Sequence, residues 1–421
     1  MLGLLGLWSL AVIGVAIADV AWFACPVAPR GDVAAFEAYT VNRLNQAAGQ
    51  QLGSATVALV QNGSLKATYG FSSPTPSGET VDPGHTLYQM ASVSKLVTAW
   101  GVMRLVEEGA IALDDSVSSY LTRWRFPAGE FDAEAITVRQ LLSHTAGLGD
   151  GFGYAGFLPG EPLQTLEDSL TLTRDPSAGD PRGVTVTQQP GKAWRYSGGG
   201  YTVLQLLVEE VTGQPFADYM AQAVLQPLGM TKASFDWEHI EADGRADNLA
   251  TSFDTDLKPS PHRRYTAAAA ASLYATAQDM AALVQAYSGR NPVLAPETLA
   301  LMLSPQPGTA DIWGLGHSLY VATENGGYVV GHDGGNLPAL NHTVRVNPAT
   351  GNGIVVMVSG STMLASQVGD DWVFWETGKR TADALIREML AHLPLTLAAI
   401  AIGAAVIVGM PIATQIFADA R

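Results

Sequence analysis

The sequence predicts an α/β protein of the α+β kind: one antiparallel sheet flanked by helices, joined to a mostly helical lobe, with apolar helices at both termini. Three observations point there. Two apolar, β-branched runs at 54–61 and 64–70 flank Asn62-Gly63, the strongest short-range hairpin signal. A long middle of helical pattern follows. Four short strand-like runs, at 317–322, 327–331, 341–346 and 353–358, come late in the chain. Strands from both ends, separated by a helical middle, are expected to share one sheet, with the middle forming a second lobe.

The elements follow in order. Ser92 to Glu108 carries an apolar stripe and stops at Gly109, the pattern of a helix with a glycine C-cap. Val138 to Ser143 and Tyr201 to Thr212 also read as helices, the second ending at Gly213. Residues 149–192 are rich in Gly, Pro, Asp and Thr and read as a surface insertion over a cleft, with Phe152, Tyr154, Phe157 and Leu158 expected to line it. Asn347 to Gly353 makes the turn between the last two strands. A helix over 379–391 leads into the C-terminal apolar run. No internal repeat of fixed period and no low-complexity linker is present.

The chain has 421 residues, 47% hydrophobic and only 15% charged, with a mean hydropathy of +0.14. The two ends raise that value. Residues 1–18 and 393–418 carry no charge, and both reach the length of about 18 at which a membrane span becomes the default reading. The C-terminal run has no charged face, which a buried soluble helix of that length would be expected to show. The N-terminal run admits three readings: a secretory signal cleaved after Ala16-Ile17-Ala18, a lipoprotein signal ending at Cys25, or a retained helix to about Phe23. The expected organisation is therefore 1–24 as an N-terminal transmembrane helix or signal, 30–392 as one domain, and 393–418 as a C-terminal transmembrane helix. Lys379, Arg380 and Arg387 before the last span outnumber Arg421 after it, a count that favours a cytoplasmic main domain. Large domains cross largely regardless of such charges.

Twenty-three basic against 39 acidic residues give a net charge of −16. Such a surface repels nucleic acid backbones, so no nucleic acid partner is expected. The single cysteine, Cys25, excludes an intramolecular disulfide and a cysteine-rich metal site. Neither a His-Glu-x-x-His, a Gly-x-Ser-x-Gly nor a phosphate loop occurs, which removes zinc proteases, α/β-hydrolases and P-loop enzymes. No cofactor or metal is expected.

Among the six lysines, only Lys95 has a serine three residues before it, Ser92. Positions i and i+3 share a helix face, so hydroxyl and amine can touch. Ser92 falls in the first turn, where free backbone N–H groups and the helix dipole favour a developing negative charge. Lys95 lies among Val93, Leu96, Val97, Ala99 and Trp100. Desolvation there lowers its pKa towards the free amine that a general base requires, and a serine beside a basic amine is one way to activate that nucleophile.

Ser92-Val93-Ser94-Lys95 resembles the active-site motif of serine β-lactamases and penicillin-binding proteins. The surrounding Tyr88 to Lys95 is similar to the broader β-lactamase-related family, which includes class C enzymes, D-aminopeptidases and carboxylesterases. The likeness continues in Leu113-Asp114-Asp115, Leu141 to Leu148, Pro190-Gly191, Tyr196-Ser197-Gly198, Pro227 to Met230, Trp313 to Gly316 and His332-Asp333-Gly334-Gly335, over about residues 50 to 390. The resemblance implies a β-lactamase/transpeptidase-like fold. It implies Ser92 as the acylated nucleophile, Lys95 as its base, and Tyr196 as the tyrosine of the Tyr-x-Asn motif. His332-Asp333-Gly334 matches the Lys-Thr-Gly strand, histidine replacing lysine. The N–H groups of Ser92 and Gly335 would form an oxyanion hole, worth roughly 3 kcal/mol per donor. His144 corresponds to a structural landmark. Gly198 departs from the motif, standing where an asparagine amide would contact lysine and substrate. That departure and His332, less charged at neutral pH, favour a loose esterase or peptidase over β-lactam hydrolysis or transpeptidation.

Two functions are therefore expected. The first is a membrane-anchored serine hydrolase acting through an acyl-enzyme on an ester or amide, possible substrates being cell-wall or lipid-like, with its main domain extracytoplasmic (periplasmic). The second is a catalytically reduced subunit of a membrane protein complex that keeps the fold.

Overall fold

A computed structural model describes residues 7–14, 27–50, 52–73, 80–150, 154–176, 183–289 and 291–419. Cys25, the Ala16–Ala18 segment and Phe152 lie outside them. The chain divides into two compact units, Glu37–Trp372 and a smaller one of Met1–Phe36 with Val373–Arg421.

In the larger unit, β1 (Ser54–Gln61) and β2 (Ser64–Ser72) form the expected hairpin. Asn62 and Gly63 both take positive φ, 50° and 70°, as the tight turn demands. β3 (Tyr88–Gln89) leads into helix α3 (Val93–Glu107). Residues 7–14 are helical (α1), and α2 is Val33–Ala47. The helical middle contains α4 (Val138–Leu142), α5 (Leu166–Thr171), α6 (Gly198–Thr212), α7 (Phe216–Met220) and α8 (Trp237–Ala242). Three short strands, β4 (Ser252–Phe253), β5 (Pro259–Ser260) and β6 (Tyr274–Ala275), surround α9 (Ala268–Ala271). α10 (Ala277–Gln285) and α11 (Pro296–Met302) complete the middle. The late strands are β7 (Ser318–Ala322), β8 (Tyr328–Asn336), β9 (Leu340–Asn347) and β10 (Asn352–Ser359).

Six strands make one sheet in the order β2-β1-β10-β9-β8-β7, every pair antiparallel. The first hairpin and the last strand are thus neighbours, Val57 facing Val356. β1, β9 and β10 are buried almost throughout, because both faces are covered. α3 packs on β8, and α10 on β1 and β10. On the other face α12 (Leu364–Thr377) comes so close to β9 that a Cβ on its Gly369 would meet Thr343 Oγ1 at 2.9 Å. α3 and α6 are buried on nearly every side, which marks them as the axis of the molecule's core.

Two expectations shift. β8 runs to Asn336 rather than stopping at 331, because pairing with β9 from Val330 to Asn336 overrides the poor strand propensity of two glycines. The insertion is less open than its composition suggests. Tyr154 and Phe157 are buried: the Tyr154 hydroxyl lies 2.7 Å from Thr202 Oγ1 on α6, and Phe157 exchanges backbone bonds with Arg264. Leu158 is the exposed one of the three.

In the smaller unit, Trp375 donates its indole N–H to Pro29 O at 2.8 Å and stacks on Phe36, ring centroids 4.7 Å apart. α13 runs from Ala382 to Asp419, starting three residues later than expected and continuing without a break. Its stretch Ala382–Ile402 is long and apolar enough to cross a membrane, and Ala384 is its one buried side chain among those described. That stretch begins before the expected 393–418. Trp8 of α1 donates its indole N–H to Ala399 O at 3.1 Å.

Candidate active site

Ser92 lies at the mouth of α3. It holds the N-cap position with φ −66° and ψ −11°, and its hydroxyl makes no capping bond, which leaves Oγ for other partners. The residue before it, Ala91, is held at φ +47°, a conformation that costs an alanine of order 1–3 kcal/mol and is retained where the surroundings enforce it. Those surroundings are visible: Met90 N–H donates to Leu273 O, and Ser94 Oγ bridges Ala91 O and Leu273 N–H.

Lys95, one turn on, is 1% exposed. Its Nζ donates to Ala270 O at 2.8 Å and lies 3.1 Å from Ser92 Oγ. Burial pushes its pKa down to about 7, against a smaller upward pull from the Asp150 carboxylate. About half of the lysine is then free amine at neutral pH, with its lone pair within reach of the serine proton. The half-buried Tyr196 completes this group: its phenol hydrogen-bonds Ser92, and burial raises its pKa, so it stays protonated. Lys95 Nζ stands 5.1 Å from the Tyr196 ring centroid and 5.9 Å from that of Tyr201.

β8 closes the other side. Strand alternation sends His332 towards the site and Asp333 through to the far face. The His332 ring is 6.1 Å from Tyr196 and 5.3 Å from Trp313. Its Nδ1 lies 2.5 Å from Asp333 O, an acceptor, so Nδ1 carries the proton and Nε2 keeps a lone pair. Burial, with Lys95 nearby, drives the His332 pKa down to about 3; it is a neutral imidazole. Asp333 accepts both guanidinium nitrogens of the buried Arg345, at 2.8 and 2.9 Å, which holds its carboxyl below the usual range. Gly334 is where β8 crosses the start of α3: a Cβ there would sit 2.4 Å from Met90 O. Gly335 is not so constrained, its nearest atom being Leu340 O at 3.6 Å.

The structure thus brings Ser92, Lys95, Tyr196 and His332 together, with the Gly334 backbone against the start of α3. It also places His144, expected to be structural, and Asp150, which the sequence did not single out. His144 forms an aromatic wall with Tyr196, Trp313 and Tyr201, ring centroids 4.3, 5.0 and 5.2 Å away. It accepts the Ser197 N–H at Nδ1, which fits a structural part. Asp150 holds the segment after Tyr196. No local pattern marks it, because its partners are 47 and 49 residues away. Among the described residues, no group of three or more His, Cys, Asp or Glu side chains is placed to hold a metal ion.

A serine hydroxyl is thus shared by a desolvated lysine amine and a half-buried tyrosine phenol, at a helix start beneath a sheet strand. The β-lactamase family model matches residues 40–378, and the chain belongs to that family. Among its relatives, esterase EstB of Burkholderia gladioli is 31% identical over 243 residues, covering 51% of this chain and 60% of EstB. Penicillin-binding protein 4* of Bacillus subtilis is 28% identical over 150 residues, 35% of this chain and 30% of that protein. The matched region spans at most 60% of these two relatives' own length. The octameric penicillin-binding protein homologue of Pyrococcus abyssi superposes with a TM-score of 0.65 at 23% identity, over 82% of this chain and 76% of its own. EstCE1, a hydrolase with promiscuous acyltransferase activity, gives 0.61 at 20%, over 80% and 98%. These two similarities establish the β-lactamase/transpeptidase-like fold.

Proposed function

We propose that the chain is a membrane-anchored serine hydrolase that cleaves an ester or amide through an acyl-enzyme on Ser92. The observation that carries this is the Lys95 amine, desolvated to a pKa of about 7 and 3.1 Å from Ser92 Oγ. Lys95 is the base rather than Tyr196, whose raised pKa keeps its proton. The free amine takes the Ser92 proton as Oγ bonds to the substrate carbonyl carbon. The carbonyl oxygen gains the negative charge, and the N–H groups of Ser92 and Gly335 would hold it. The C–O or C–N bond then breaks, and the proton passes through Lys95 or Tyr196 to the leaving alcohol or amine. Water repeats the cycle on the acyl-serine and releases the acid.

His332 shapes the substrate. A neutral ring with a lone pair at Nε2 cannot pair with a carboxylate as a cation would, and Gly198 offers no side-chain amide. Both favour an uncharged ester or simple amide, in keeping with the esterase among the relatives. The exposed apolar stretch Ala382–Ile402 supports anchoring; a lipid-like or cell-wall substrate, met at an extracytoplasmic membrane face, fits an anchored enzyme.

Intact-protein mass spectrometry after incubation with ester, penicillin and fluorophosphonate probes tests the reading. One acyl or phosphonyl adduct is expected on the wild type and none on Ser92→Ala. An adduct surviving that substitution overturns the assignment. A wild type that takes no adduct leaves the catalytically reduced subunit of a membrane complex as the reading.

A further inference from the structure

The segment that carries Tyr196 is held by one acidic side chain, and that side chain also acts on Lys95. Asp150 is delivered by tertiary pairing: Gly149 N–H donates to Thr185 O and Thr187 N–H to Gly147 O, with Leu148 bridged to Val186. This brings the carboxylate to the start of α6. There it accepts the Ser197 hydroxyl at Oδ1, 2.5 Å, and the Gly199 N–H at Oδ2, 2.6 Å. Both are at the short lengths of bonds to an ionised acceptor; burial raises the Asp150 pKa, and these two donors, with Lys95, pull it back down. The fit depends on glycine, because a Cβ on Gly199 would lie 2.8 Å from the Asp150 carboxyl carbon. Ser197 is the N-cap of α6, its Oγ also accepting the Gly200 N–H. Residues 197–199, immediately after Tyr196, are therefore tied to Asp150 at two points.

The same carboxylate interacts electrostatically with Lys95. The groups around that amine are Ser92 on its own helix, Ala270 O from α9, the Tyr196 and Tyr201 rings from the α6 segment, His144 after α4 and His332 on β8. Both histidines have pKa values lowered by burial, and the opposite charge acting on Lys95 is Asp150.

We propose that Asp150 is a positioning residue of this centre: its carboxylate clamps Ser197 and Gly199 so that the Tyr196 phenol meets Ser92, and it is the counter-charge to Lys95. The inference rests on Lys95 being the base for Ser92, as argued above. Its two parts separate experimentally. Asp150→Asn keeps the size and an acceptor but removes the charge. Ser197→Ala keeps the charge but breaks one arm of the clamp.

The full-length protein in detergent is used for both variants, with the rate of fluorophosphonate acylation followed against pH and 13C-lysine NMR reporting the Lys95 titration directly. Removing the carboxylate lowers the Lys95 pKa, so Asp150→Asn shifts both the acid limb of the acylation rate and the NMR titration to lower pH, by roughly 0.5–1 unit. Ser197→Ala slows acylation roughly tenfold or more through misplacement of Tyr196, with the limb unmoved. A titration of Lys95 unchanged in Asp150→Asn overturns the electrostatic part. A rate within twofold of wild type in Ser197→Ala overturns the clamp. Should the wild type take no phosphonate, the hydrolase reading falls, while the NMR shift still decides the coupling of Asp150 to Lys95.

Discussion

At Lys95, catalysis and stability pull in opposite directions. An ordinary lysine titrates near 10.5, and this one titrates near 7. The folded state therefore binds fewer protons than the unfolded state between those values, so stability rises with pH across that window. Below pH 7 the whole opposition to folding is present, on the order of 5 kcal/mol if each unit counts about 1.4. Lys95→Met should accordingly raise Tm, and raise it more at pH 6 than at pH 10, while abolishing acylation of Ser92; paired calorimetric scans check both. In the wild type, the acylation rate should climb through an apparent pKa of about 7 as the free amine appears. A rate flat from pH 5 to 9 would remove Lys95 from the base role. Asp333 works differently. Arg345→Met removes a side chain 1% exposed and leaves Asp333, 33% exposed, without its ion pair, at a cost of about 1–3 kcal/mol in a urea titration. The serine–lysine pair was legible because helical spacing alone brings i and i+3 together. Asp150 was not, since what delivers it is the pairing of 147–149 with 185–187.

Among the elements, the crossing of β8 over α3 sets the geometry of the site and makes a sharp comparison possible. A Cβ at Gly334 would stand 2.4 Å from Met90 O and 3.2 Å from Val93 N, whereas one at Gly335 meets nothing nearer than 3.6 Å. Gly334→Ala should therefore lose about 1–3 kcal/mol and most acylation, through overpacking that lifts the strand. Gly335→Ala should melt close to wild type. Equal melting temperatures for the two would mean that the strand is free to move. The β1–β2 hairpin and helices α3 and α6 were readable from turn and cap chemistry: Asn62-Gly63, Gly109 and Gly213. α12 was not. Its buried Leu364, Val368, Trp372 and Trp375 are interrupted by Gly369-Asp370-Asp371. Nothing local says that Asp370 turns inward, 3.7 Å from Arg345.

For the whole molecule, the two apolar ends are the feature that composition reported first and the structure refines. In α13, Ile386, Met389, Leu390, Leu393, Leu395 and Leu397 stand exposed, which an aqueous surface would not favour over so long a stretch. The full chain should stay in the pellet after alkaline carbonate washing of membranes and leave it only with detergent. Recovery in the carbonate supernatant would rule out an integral anchor. The apolar character of these ends was plain in the sequence. Where the long C-terminal helix begins was not, because Ala382 to Leu393 mixes charged with apolar residues and reads as an ordinary amphipathic helix.

The strand order has a consequence for how the protein is made. β1 finds its second neighbour, β10, only about 300 positions later, Ser54 facing Ser359. Contacts so distant along the chain form slowly, and until then the hairpin presents an unpaired edge open to wrong partners. Nearly the whole chain must be released before the sheet can close. Synthesis arrested before residue 352 should yield a protease-sensitive chain, and arrest well past residue 372 a resistant one.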